Sequence, residues 1–404
     1  MDILSKGTIT DVPGILAAGI SGGIKKDGKK DLCVIYSAYK ANSAAVFTGN
    51  NVKAAPLTVD MEHIRNENTQ AIVVNSGNAN ACTGLEGIRN ARKMTEVAAA
   101  CLNLSPQEVL AASTGALSIQ LPMEIIVPGI EKACSALSED GGHDAADAIL
   151  STDTCNKTIA VQFELRGRKV TIAGMTKGST MVHPNMGTTL TFMATDASIS
   201  KPLLHRALVK GIDDSYNMIS VDGDTSTNDM AVIIANGASD NTMINTEDKD
   251  YEEFCRALDF VCTELAKMVA KDGEGSTKFI EVKVRNAASR LDARTAARAV
   301  VSSSLVKCEV FGSALKSSTV ACALGYCGAA INPEEFDIFV GNDEAELQIV
   351  KSASETDYNK DELDSVLSGD FIRISADLKA GDHCAVAWGC DLSYQYVKAN
   401  AYLM

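Results

Sequence analysis

The segment "KTIAVQFELRGRKVTIAGMTK", residues 157–177, constrains the fold most. Two runs rich in strand-forming residues, "IAVQFEL" and "KVTIAG", flank Arg166-Gly167. "FELRGRKV" therefore predicts a β-hairpin with Gly167 in its turn. Further runs of the same kind are "LCVIYSAY", "AIVVNSG", "MAVIIANG", "FIEVKVR", "FDIFVG", "FIRISAD" and "HCAVAWG". Between them apolar residues recur at helical spacing. Ile88, Ala91, Met94, Val97 and Cys101 form one stripe. Phe254, Leu258, Val261, Leu265 and Met268 form another, stopped by Asp272-Gly273. Pro202 opens a third helix ahead of Leu203, Leu204 and Leu208. Residues 288–301 predict a fourth. The chain is mixed α and β, without internal repeat or low-complexity linker.

Six stretches carry more small polar residues than a plain core needs. They are "NSGNANACTG", "ASTGALSIQLP", "STDTCNK", "KGSTMVHPNMGTTLTFMATDA", "SVDGDTSTND" and "DGEGSTK". Singly, each reads as a turn. Together, most of them beside strand ends, they read as functional loops. Neither a G-x-x-x-x-G-K-[ST] phosphate loop nor a G-x-G-x-x-G dinucleotide signature is present; "GISGG" lacks the spacing.

Composition narrows the partners. A net charge of −15 over 404 residues disfavours nucleic acid and anionic membrane. The first residues lack the basic start and apolar core of a signal peptide. No apolar run approaches ~18 residues, so no membrane span is expected. The twelve cysteines and five histidines are scattered, without Cys-x-x-Cys. The cysteines read as reduced, buried hydrophobes, and no metal site is expected. Localisation reads as cytoplasmic.

Thr188 admits three readings. It follows Gly187 as a turn residue, it opens the strand-like "TTLTFMA", or it is a nucleophile. A threonine hydroxyl is weak at neutral pH. Self-cleavage of the preceding bond would free an α-amine, pKa about 8, to act as its base. The small Gly187 suits attack on its own carbonyl. Thr189 follows the bulkier Thr188 and suits it less.

The ordered stretches resemble the ornithine acetyltransferase (glutamate N-acetyltransferase) family of arginine biosynthesis, from "GILAAGISGGIKKDGKKDL" to "CDLSYQYVKANA". The resemblance implies a layered α/β sandwich with a C-terminal α/β portion from about residue 308. It implies self-cleavage between Gly187 and Thr188 into an α chain, 1–187, and a β chain, 188–404, which assemble as α2β2. Thr188 would carry the acetyl group from N-acetylornithine to glutamate, both small amino-acid substrates. Acetyl-CoA is a possible co-substrate, and no bound cofactor is implied. Thr114 and Gly115 match the family's oxyanion hole. Thr154, Lys177, Thr188, Glu274 and Asn400 match its substrate contacts.

Three departures stand out. The family's Met-Ala-Thr-Met-Leu is Met186-Gly187-Thr188-Thr189-Leu190 here, which puts a hydroxyl beside the nucleophile. The family's Asp-x-Asn-Trp-Gly-Arg is missing from "VFGSALKSSTVACALG". Its closing Asn-Ala-x-Tyr-Arg-Thr is replaced by Asn400-Ala401-Tyr402-Leu403-Met404. These fit a divergent member or paralogue acting on other acyl-amino acids. An N-terminal-threonine amidase or peptidase and an unprocessed, non-catalytic relative are the further alternatives.

Overall fold

The computed structural model describes residues 1–183 and 189–401. Its strands are β1 (Asp2–Ile3), β2 (Ile15–Ile20), β3 (Leu32–Ser37), β4 (Asn42–Phe47), β5 (Ala71–Asn78), β6 (Val109–Ala116), β7 (Lys157–Leu165), β8 (Arg168–Lys177), β9 (Leu190–Thr195), β10 (Ile219–Ser220), β11 (Met230–Ala235), β12 (Phe279–Ala287), β13 (Asp337–Gly341), β14 (Glu346–Lys351), β15 (Ser354–Glu355), β16 (Phe371–Asp377) and β17 (His383–Cys390). Its α-helices are α1 (Ala55–His63), α2 (Gly84–Leu102), α3 (Met123–Ser135), α4 (Gly142–Ala148), α5 (Lys201–Asp214), α6 (Lys249–Lys271), α7 (Arg290–Ser302), α8 (Ser304–Phe311), α9 (Ser317–Tyr326), α10 (Lys360–Leu367) and α11 (Tyr394–Ala401).

Two compact units form. The first comprises Met1–Gly178, Pro184–Asn217 and Thr225–Ala266; the second comprises Ser179–His183, Met218–Asp224 and Lys267–Met404. The second takes in β12 and α7, both upstream of residue 308.

The first unit holds two sheets, ordered β1-β7-β8-β9-β11-β4 and β2-β3-β5-β6. Side chains alternate between sheet faces. Ile72 and Val74 of β5 and Leu110 and Ala112 of β6 therefore turn inward with Met175, Phe192 and Val232 of the other sheet. This shared core packs the two sheets face to face. Ala71, Val73, Val109 and Ala111 point the other way, onto Met94 and Ala98 of α2 and Ile126 and Ile130 of α3. On the far side of the six-stranded sheet, the Cys262 thiol of α6 lies 3.8 Å from the Met193 sulfur of β9. The result is a layered α/β sandwich. Strands covered on both faces carry continuous apolar runs, which explains residues 71–74 of β5, 109–112 of β6 and the whole of β11.

The expected hairpin is β7–β8, in register from Lys157↔Thr176 to Leu165↔Arg168. Arg166 and Gly167 both have positive φ, 50° and 74°, as a two-residue primed turn requires. The expected helices appear as α2, α5, α6 and α7. Phe254, Leu258, Val261 and Leu265 are fully buried along α6. Cys101 is the exception in the first stripe, because it lies exposed near the end of α2.

The second unit is built on a seven-stranded mixed sheet, β10-β17-β12-β16-β13-β14-β15. Val282 and Val284 of β12 are buried on the face that α7 covers.

One expectation is corrected. All twelve cysteines are free, but only Cys33, Cys255, Cys262 and Cys390 are buried. Six are exposed. An apolar sequence neighbourhood does not reveal which side of a helix a residue occupies.

Candidate functional site

β5 and β6 run parallel, so their C-terminal ends share one sheet edge. There Ser76 pairs with Thr114 and Gly77 with Gly115. Gly115 has φ +132°, and a Cβ on it would lie 2.3 Å from the Gly77 carbonyl carbon. Only glycine fits so close a backbone approach. Thr114, beside it, is buried.

The chain beyond this edge is tightly pinned. Asn75 Nδ2 donates to the Asn78 carbonyl at 2.8 Å, and Ser113 Oγ to Asn75 Oδ1 at 2.6 Å. Asn228 Nδ2, from the "SVDGDTSTND" stretch, donates to the carbonyls of Ala79 and Ser113 at 2.6 and 2.8 Å. Two of the polar stretches thus satisfy each other's buried groups, as burial requires. The "GISGG" loop does the same by another route. The fully buried Asp31 carboxylate accepts the N–H groups of Gly22, Gly23, Ile24 and Lys25 at 2.6 to 3.1 Å. The loop ligates the chain's own anion.

Bonds from this edge and its neighbouring loop reach the chain that follows α4. Ser76 Oγ donates to the Ala148 carbonyl at 2.6 Å, and Lys25 Nζ to the Leu150 carbonyl at 2.7 Å. These bonds anchor the segment that runs into Ser151, Asp153 and the exposed Thr154. Lys177, the last residue of β8, donates from Nζ to Ser151 Oγ at 2.7 Å. Its Nζ also lies 3.6 Å from Asp153 Oδ2. Asp153 accepts from Lys157 Nζ at 2.8 Å and from the Gly178 N–H at 2.7 Å. Burial acts to raise the Asp153 pKa, but Lys177, Lys157 and the Gly178 N–H outweigh it and hold the carboxyl well below the usual range. Asp153 is therefore ionised at neutral pH.

Thr189 opens the described chain after the predicted cleavage point, and it is buried. Its hydroxyl faces those of Thr176 and Thr191 at 3.4 and 3.5 Å. The last two bond each other at 2.8 Å. Thr189, where the family has Met, thus joins a hydroxyl cluster with Thr176 of β8 and Thr191 of β9. Gly187 and Thr188 lie outside the described residues.

The second unit brings together two other predicted contacts. Asn400 Nδ2 donates to Glu274 Oε2 at 2.7 Å. The Glu274 N–H donates to the Ser179 carbonyl at 3.0 Å. Gly275 has φ +68°, and a Cβ there would lie 2.6 Å from the Tyr396 nitrogen, so the turn closes onto the start of α11. His183 and Asp222 were not singled out from the sequence. Asp222 accepts the N–H groups of Met181 and Val182 at 2.7 and 3.0 Å. The His183 ring lies between Ser220 Oγ, 3.0 Å from Nδ1, and the Arg298 guanidinium, 2.9 Å from Nε2. Arg298 can only donate, so Nε2 accepts and Nδ1 carries the proton. Burial first, then Arg298, lowers the His183 pKa to about 4.

Among the described residues no cluster of three or more His, Cys, Asp or Glu side chains could hold a metal ion. Among them, too, no helix is long and apolar enough to cross a membrane. The site's chemistry is that of fixed backbone amides, an ammonium group, a carboxylate and hydroxyls.

Comparison with known proteins identifies the family. The ArgJ family model matches residues 16–403. The "Arginine biosynthesis bifunctional protein ArgJ 1" of Clostridium acetobutylicum is 50% identical over 398 residues, covering 98% of each chain. The corresponding protein of Caldanaerobacter subterraneus subsp. tengcongensis is 46% identical over 99% of each. A crystal structure of ornithine acetyltransferase complexed with ornithine, from Mycobacterium tuberculosis, is 34% identical. That match covers 46% of this chain and 98% of the other, with a TM-score of 0.43. With a family model and relatives of this identity matching nearly its whole length, the chain belongs to the ArgJ family.

Proposed function

We propose that the chain is a self-processing acetyltransferase of arginine biosynthesis, moving an acetyl group from N-acetylornithine to glutamate. The observation that carries this reading is the family match over residues 16–403. It is supported by the close backbone approach of Gly115 to Gly77 and by the fixed Lys177 ammonium at the end of β8.

In the first stage Thr188 Oγ attacks the Gly187 carbonyl, and the peptide link becomes an ester. Water hydrolyses the ester, leaving a carboxylate on Gly187 and a free α-amine on Thr188. The products are an α chain, 1–187, and a β chain, 188–404, in an α2β2 assembly. In the second stage the amine takes the hydroxyl proton while Oγ attacks the acetyl carbonyl of N-acetylornithine. The oxyanion that forms is met by the Thr114–Gly115 segment, whose geometry is fixed before substrate arrives. Collapse expels the ornithine amine, protonated by the Thr188 ammonium. The glutamate amine then attacks acetyl-Thr188, and N-acetylglutamate leaves. Lys177 holds the substrate α-carboxylate as a charge-assisted partner. Thr154, Glu274 and Asn400 are further substrate contacts that the family resemblance implies. Acetyl-CoA is a second acetyl donor for glutamate, and no bound cofactor takes part. The reactions take place in the cytoplasm.

The test is transfer of labelled acetyl from N-acetylornithine. Label should appear in N-acetylglutamate only when glutamate is present. Release of labelled acetate at the same rate with and without glutamate would identify an amidase instead.

A further inference from the structure

The Asp153 side chain is fully buried. It is bonded to four places at once. Oδ1 accepts from Lys157 Nζ at 2.8 Å and from the Gly178 N–H at 2.7 Å. Oδ2 accepts the Ser151 N–H at 3.1 Å and lies 3.6 Å from Lys177 Nζ. Gly178 directly follows Lys177, and Thr154 directly follows Asp153. One carboxylate therefore fixes the end of β8 and the 151–154 segment to each other.

We infer that Asp153 is the positioning residue that makes Lys177 a carboxylate receptor, and that it sets the site's selectivity for substrates with a free α-carboxylate. The inference rests on the transferase reading above. A lysine side chain has four rotatable bonds, and an ammonium at a strand end would sample many directions. Ser151 takes one of the three donors of Lys177 and the Asp153 charge draws the ammonium to one side, so the ammonium is held in place. An ammonium held this way binds a substrate carboxylate with little further ordering cost. Lys157 reaches the same carboxylate from β7 and keeps it in place.

The experiment compares N-acetylornithine with its α-carboxamide, for the wild-type chain and Asp153→Asn, after mass spectrometry and a thermal melt show each variant cut and folded. Asparagine keeps the shape and loses the charge. The expected result is a KM for N-acetylornithine raised about tenfold or more, with kcat changed much less. The preference for the carboxylate over the carboxamide should fall by about the same factor. Ser151→Ala removes the other tether, is milder for folding, and should shift KM and preference in the same direction by about threefold. A purely structural role would lower activity on both substrates equally and leave their ratio unchanged, which would overturn the inference while the transferase reading stands. A wild-type chain that transfers acetyl from neither compound would overturn the transferase reading, and the inference with it.

Discussion

Two polar regions of the molecule hold their charges in different ways. At the edge of the first unit, the Asp153, Lys157 and Lys177 side chains are 0%, 1% and 9% exposed. In the second unit, the Glu274–Asn400 hydrogen bond is exposed to solvent. Removing one partner of a buried ion pair strands a desolvated charge, at a cost of about 3–5 kcal/mol. Breaking an exposed contact lets water replace it. The first region is rigid, preorganised and bound up with stability. The second contributes contact at little structural cost.

The largest effect should come from the buried backbone contact between β5 and β6. In Gly115→Ala, a Cβ would lie 2.3 Å from the Gly77 carbonyl carbon, at φ +132°. A destabilisation of ~3 kcal/mol or more is expected, read as a lowered denaturant midpoint. A variant as stable as wild type would show that the strand ends are free to separate.

Lys177→Met comes next. Activity on N-acetylornithine should fall by roughly a hundredfold in kcat/KM, the worth of a buried charge-assisted contact. A change below about threefold would remove Lys177 from the substrate site.

Asp60 sharpens the meaning of burial. It sits in α1, fully buried, with Oδ1 accepting the Ala111 N–H of β6 at 2.8 Å. Its Oδ2 has no hydrogen-bond partner among the described residues. Burial raises its pKa well above the ordinary value, and the Ala111 N–H offsets this only in part. The folded state therefore keeps a proton that the unfolded chain releases above about pH 4. Stability falls as pH rises from there until the folded pKa is passed. Asp60→Asn should flatten this slope. Melts at acid and neutral pH check it; an unchanged slope would assign the pH dependence to other groups.

The smallest structural effect belongs to Glu274→Gln. Stability should stay within about 0.5 kcal/mol of wild type, while KM rises. If this variant destabilised the fold as much as Asp153→Asn, the contrast between the two regions would collapse.

The fold was largely legible from pattern. The Arg166-Gly167 turn, the α6 stripe and Pro202 ahead of α5 each carry a local physical signal, and each element formed where its signal lies. The polar stretches were legible as loops at strand ends. Their roles within the site were not. "STDTCNK" reads as a turn, and nothing local in it shows that Asp153 turns inward to meet Lys177 at the end of β8. Asn228 bonds to Ser113 across 115 residues, and Asn400 to Glu274 across 126. Such pairings are decided by topology, which local sequence does not encode. Asp31 shows the same limit, because a glycine-rich loop looks alike whether it wraps a ligand or the chain's own carboxylate.

The account's central claim concerns the bond between Gly187 and Thr188, and the intact mass of the purified protein under denaturing conditions tests it most directly. The wild-type chain should give two fragments that join at Gly187/Thr188, and Thr188→Ala should give one uncut chain. A wild-type protein that stays a single chain after long incubation, or a Thr188→Ala variant cut at the same bond, would contradict it.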